Sequence, residues 1–100
     1  MKKIEFEWDE EKNAQNILKH GVSFEDAICV FSDPARYERF DWVHSINEDR
    51  WKITGFSGCV ILTAFFTERK GLIRIFSVRK ADKKEQEVYF YGYGKKKNRS

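Results

Sequence analysis

Residues Thr67–Tyr91 read TERKGLIRIFSVRKADKKEQEVYFY, and this stretch decides the fold. Leu72, Ile73, Ile75, Phe76 and Val78 are β-formers that ask for a sheet, yet Arg74 and Arg79 sit among them and guanidinium groups resist burial. Glu68-Arg69-Lys70-Gly71 turns the chain into this strand. Asp82, with Glu85 three residues on, forms a capping-box pattern that opens a helix through Tyr91. Gly92-Tyr93-Gly94 breaks that helix.

Working outward, Cys59–Thr67 is a near-continuous apolar run that predicts a central strand, entered through a Ser57-Gly58 turn. Trp51 and Ile53 alternate with Lys52 and Thr54 as a half-buried strand does. His44–Asp49 reads as a polar loop, and Ala35–Val43 as a strand whose Arg36, Glu38 and Arg39 point to exposure. Further upstream, Ser23 starts a helix with Phe24, Ala27, Ile28 and Phe31 at helical spacing, and Asp33-Pro34 ends it. Asp9 caps a helix over Glu10–His20, with Ala14, Ile17 and Leu18 expected as its apolar face and Gly21 as its stop. Glu5–Trp8 alternates like an edge strand.

The order β-α-α-β-β-β-β-α predicts an α+β domain: a twisted antiparallel sheet with an N-terminal helical hairpin on one face and a C-terminal helix. A single domain over 1–92 and a basic, disordered tail over 93–100 are expected.

With 41% hydrophobic and 35% charged residues the chain is a packed, water-facing protein, and no apolar run is long enough to span a membrane. The start at Met1-Lys2-Lys3 lacks an apolar signal core, which makes the cytoplasm the expected location. Cys29 and Cys59 are expected to be buried thiols. With His20 and His44 they give no recognised zinc spacing, so neither a metal nor another cofactor is expected. The net charge of +3 conceals an asymmetry. Residues 1–68 hold 8 Lys/Arg against 13 Asp/Glu, and residues 69–100 hold 11 against 3. The basic third implies a polyanionic partner, and planar guanidinium forks suit phosphate oxygens, so RNA or DNA is the first partner to test.

The text FEWDEEKNAQNILKHGVSFEDAICVF, then His44-Ser45, Asp49-Arg50-Trp51, Thr67-Glu68-Arg69, Ile73-Arg74-Ile75, Ser77-Val78-Arg79-Lys80-Ala81, and Glu85 with Tyr89, resemble in order the pattern of the BrnT family of type II toxins. The resemblance spans about residues 4–91. It implies a RelE-like fold and a metal-independent ribonuclease that blocks translation. It also implies a BrnA-type ribbon-helix-helix antitoxin as partner, in a heterotetramer that reaches operator DNA only through the antitoxin. The aromatic and charged loop Asp41–Asp49 and the Lys95–Arg99 tail depart from the family pattern.

Metal-free RNA cleavage needs a base for the 2′-OH, charge stabilisation on the phosphate, and a proton for the leaving oxygen. Arg74 and Arg79 are the candidate phosphate clamp. Five residues apart, they share a face only if a bulge intervenes or Arg79 lies beyond the strand end. Either can instead pair with Glu85 or Glu87 and anchor the last helix. His20, Glu68 and Tyr89 are the acid–base candidates, and Lys19, Arg69, Lys80 and Lys84 the substrate-binding cations. His44 reads as a solvent-facing loop residue, Trp8 and Trp51 as core, and Trp42 as exposed. A module that binds RNA or antitoxin without turnover is the competing reading.

Overall fold

The computed structural model describes residues 4–92; the expected tail over 93–100 and the Tyr93-Gly94 part of the helix-breaking signal lie outside them. β1 (Glu5–Glu7) leads into α1 (Glu10–His20) and α2 (Phe24–Ile28), the latter tightening into a 3₁₀ turn over Cys29–Ser32. β2 (Tyr37–Phe40), β3 (Trp51–Phe56), β4 (Ile61–Arg69), β5 (Leu72–Lys80) and α3 (Lys83–Tyr91) complete the predicted order. The anticipated caps are present. Asp9 accepts from Glu11 and Lys12, Gly21 closes α1 at φ 75°, and capping boxes join Ser23 to Asp26 and Asp82 to Glu85.

The five strands lie in the order β1-β5-β4-β3-β2. Strands β2 to β5 form the expected antiparallel meander, while β1 joins the far side of β5 in parallel, so the sheet is mixed. The helical hairpin between β1 and the meander supplies the crossover that a parallel pair requires. Strand β2 is shorter than the expected Ala35–Val43.

One face of the sheet presents Ile53, Leu62, Ala64, Phe66, Ile73, Ile75 and Val78 to Val22, Phe24, Ala27 and Val30, all buried. Phe31 bridges Phe6 and Phe66 edge to face at 5.1 and 5.0 Å, and Trp8 meets Phe24 at 6.0 Å. Trp8 and Trp51 pack against this core as expected, and Trp42 is exposed.

Two expectations fail. The inward face of α1 is not Ala14, Ile17 and Leu18: Leu18 is 88% exposed, and the buried residues are Asn13 and Asn16. The Asn16 carboxamide donates to the Val78 carbonyl at 2.8 Å and accepts from the Val78 amide at 3.1 Å. Strand β1 pairs β5 only as far as Arg74, so this amide does for Val78 what a further strand would. Asn13 likewise accepts from the Phe24 amide. Helix α1 is thus positioned by directed hydrogen bonds, which hydrophobic periodicity does not register. Cys29 and Cys59 are exposed, not buried, because the 3₁₀ turn and the β3–β4 turn leave both at the surface.

A bulge decides which side chains share a face. Phe65 pairs with Ser77 and Phe66 with Ile75, so Phe76 is an extra residue in β5. Burial follows the shift, with Ile73 and Ile75 inward before it and Val78 inward after it. Arg74 and Arg79, five apart, therefore fall on the same face, the one away from the hairpin.

Candidate functional site

The face opposite the hairpin is built from cross-strand rows. Tyr37, Thr54, Thr63 and Arg79 align in one, and Arg39, Lys52, Phe65 and Ser77 in the next. Helix α3 lowers Glu85 onto them. Arg79 grips its carboxylate with both terminal nitrogens, at 2.7 and 3.0 Å, while Arg39 donates to it at 2.8 Å and Thr63 at 2.9 Å. The Thr54 and Thr63 hydroxyls are 2.6 Å apart, and Tyr37 donates to the Glu85 carbonyl. Burial pushes the Glu85 carboxyl upward, but hydrogen bonds from Arg79, the Asp82 amide and Thr63 overcome it and hold the group down at about 2. The hydrogen bond to Glu85 raises the Arg79 pKa further. One carboxylate shared by two guanidiniums leaves the cluster positively charged.

Beside this cluster lies a groove of about 250 Å³ lined by Asp41, His44, Arg50, Phe65, Phe76, Ser77 and Arg79. Asp41 is buried, and its carboxylate meets His44 Nδ1 at 2.9 Å. That contact assigns the Nδ1 proton and leaves Nε2 as the working nitrogen, on a side chain that is 58% exposed. The loop carrying both residues is closed at its base. The Asp41 amide donates to the Arg50 carbonyl, and the Ser45 hydroxyl donates to the Asp41 carbonyl and accepts from the Arg50 amide. Arg50 lies over the Phe76 ring at 4.0 Å and Arg79 over Phe65 at 5.3 Å. Arg50 reaches Glu48 only at 3.7 Å, and its buried Nε has no hydrogen-bond partner, so its donors are the least committed in the groove.

The residues singled out from sequence are dispersed. Arg79 lines this groove. Arg74 pairs with Glu7 at 2.9 Å and shares a different depression with Glu68 and Arg69, beside Glu48 and Asp49. Glu68 accepts from the Gly71 amide and so closes the β4–β5 turn. Tyr89 donates to Asp33 at 2.6 Å, and that hydrogen bond, with burial, pushes its hydroxyl up to about 12. Tyr89 shares a third depression with Lys80. His20 and Lys19 end α1 and Lys84 is exposed on α3; none of the three lines the groove. Arg79 also makes the alternative pairing expected of it, anchoring α3 through Glu85.

Sequence reasoning read His44 as solvent-facing and gave Asp41 and Arg50 no role. The signal for two of them was present, since His44-Ser45 and Asp49-Arg50-Trp51 belong to the blocks quoted above. A polar loop gives no sign that its first carboxylate is buried. Among the described residues, no group of three His, Cys, Asp or Glu side chains could hold a metal ion, and no helix is long and apolar enough to cross a membrane.

No curated protein matches the chain in sequence. The crystal structure of the Brucella abortus ribonuclease toxin BrnT is similar, with a TM-score of 0.59 and 25% identity, over 80% of this chain and 99% of that one. The family model for the ribonuclease toxin BrnT of type II toxin-antitoxin systems matches residues 8–85, a span that includes every residue lining the groove as well as Glu85. The chain therefore belongs to the BrnT family of ribonuclease toxins of type II toxin-antitoxin systems.

Proposed function

We propose that this toxin is a metal-independent endoribonuclease that cuts RNA in the His44 groove. The observation that carries the reading is the Asp41–His44 pair facing Arg50 and Arg79 in one cleft. In this reading, His44 Nε2 takes the proton from a ribose 2′-OH, with Asp41 holding the ring and balancing the imidazolium. The 2′-oxygen attacks phosphorus, the bond to the 5′-oxygen breaks, and the products end in a 2′,3′-cyclic phosphate and a 5′-hydroxyl. Arg50 and Arg79 stabilise the charge that builds on the phosphate oxygens, with Arg79 aimed by Glu85. Water protonates the leaving oxygen, since the groove is open to solvent. Of the earlier candidates, Arg69, Arg74, Lys80 and Lys84 serve as flanking backbone contacts, while His20, Glu68 and Tyr89 have no part in the chemistry.

Cleavage of cellular RNA in the cytoplasm would stop translation. The partner that prevents it is a BrnA-type ribbon-helix-helix antitoxin, in a heterotetramer that meets operator DNA through the antitoxin. Family membership supports an antitoxin partner. The bidentate Arg79–Glu85 pair is the observation that favours the alternative, a module that binds RNA or antitoxin without turnover.

The deciding experiment incubates purified protein with RNA in EDTA and analyses the termini. Cyclic phosphate ends are expected, and His44→Ala should slow cleavage by about a thousandfold without loss of fold. Full activity in that variant, or activity that EDTA abolishes and a divalent ion restores, overturns the mechanism. Binding without any cleavage establishes the alternative.

A further inference from the structure

The loop that holds His44 toward the groove turns a second set of side chains outward. Trp42 is 82% exposed, Val43 75% and Ile46 83%. Isolated exposed apolar residues are ordinary, but three on one closed loop make a patch. The loop cannot readily fold them away, because Asp41, Ser45 and Arg50 tie its two ends together. Trp42 is further propped edge to face on Phe40 at 4.6 Å. Leu18 on α1 and Phe90 on α3 are also exposed, yet neither helix contributes a residue to the groove.

The chemistry of the patch selects its occupant. Two of its three members are aliphatic, and Val43 and Ile46 gain from being dehydrated against another apolar surface, not from stacking on bases. That favours a protein over RNA. The adjoining groove carries Arg50 and Arg79, with Arg39 behind them, so a segment that continues from the patch into the groove is complementary if acidic. The family pairs a toxin with an antitoxin, and here the exposed anchor and the imidazole share one short loop, so a partner seated on the first would lie over the second.

We propose that Trp42, Val43 and Ile46 are the anchor on which the antitoxin seats an apolar segment whose acidic continuation enters the groove over Arg50 and Arg79, closing it to RNA. The inference rests on the groove being where RNA is cut. Binding energy in such contacts concentrates in a few buried apolar and aromatic side chains, so the patch carries most of the affinity.

The test uses the toxin and its cognate antitoxin. Trp42→Ser/Val43→Ser/Ile46→Ser should leave RNA cleavage within about threefold of wild type while weakening antitoxin binding by at least about a hundredfold. In cells, co-expressed antitoxin should no longer relieve growth arrest by this variant. Ile46→Lys alone, at a site open to solvent, provides a readout should the triple variant melt early, and it should weaken binding at least about tenfold. Unchanged antitoxin affinity in both variants overturns the proposal. So does a loss of RNA affinity with antitoxin binding intact, which would assign the patch to substrate. His44→Ala separates the two claims: it should bind antitoxin at wild-type strength, and if it still cuts RNA the mechanism falls while the docking result stands.

Discussion

On one face of the sheet, Ile53, Leu62, Ala64, Phe66, Ile75 and Val78 meet Phe24, Ala27 and Val30 in an apolar contact; on the other, Thr63, Arg39 and Arg79 meet the single carboxylate of Glu85, with Thr54 behind Thr63. The first face is stabilised by area removed from water, which depends on volume and tolerates exchange of similar shapes. The second is stabilised by direction. Arg39, Arg79 and Thr63 all aim at the Glu85 carboxylate, and its removal leaves all three without that acceptor. The difference teaches where function could be accommodated: the groove opens from the face whose charges are already desolvated and aimed.

The sharpest way to break this comparison is to exchange one residue from each side. Glu85→Ala should lower unfolding free energy by about 4 kcal/mol, because two half-buried guanidiniums lose their shared partner. Leu62→Met, a volume-conserving change in the apolar face, should cost under about 1.5 kcal/mol. Urea denaturation measures both, and equal losses would erase the distinction.

Acid titration probes the same cluster without mutation. The folded Glu85 carboxyl titrates at about 2 against an ordinary value of 4.5, so the unfolded chain takes up the proton first as pH falls. The stabilisation is complete above the unfolded value and is lost as pH drops from 4.5 toward 2, by on the order of 3 kcal/mol. Glu85→Gln should flatten the pH dependence of stability in that window, and an unchanged slope would assign the titration to other carboxylates.

The remaining two expectations sharpen the account of α1. Asn16→Ala should cost about 2 kcal/mol by leaving the Val78 amide and carbonyl without partners. Leu18→Ser should shift stability by less than about 0.5 kcal/mol, since the side chain faces water. Thermal melts of the pair decide the point: a costly Leu18→Ser with a harmless Asn16→Ala would restore the apolar face that the sequence suggests.

Much of the fold was legible because it was written in local signals. Asp9, Ser23 and Asp82 each cap the helix that follows, and Gly21 stops α1 where its freedom at positive φ predicts. The alternation of Trp51, Ile53 and their neighbours marks β3. What local signals do not carry is pairing between distant segments. The parallel seat of β1 on β5, the use of Asn13 and Asn16 as the inward face of α1, and the extra residue at Phe76 all depend on partners many residues away. The candidate site was less legible for the same reason. Arg79 stood out by its strand, whereas His44 looked like a solvated loop residue until Asp41 was found buried beneath it.

The extra residue in β5 has an evolutionary corollary. Phe76 alone absorbs the shift, so loss of that one codon would leave a regular strand with Ile75 and Val78 still toward the hairpin and Arg74 and Arg79 still on the outer face. Straightening the strand with Phe76 kept would instead turn Arg79 toward the hairpin and Val78 toward solvent. A lineage can therefore shed the irregularity by a frame-preserving deletion without turning Arg79 away from the groove.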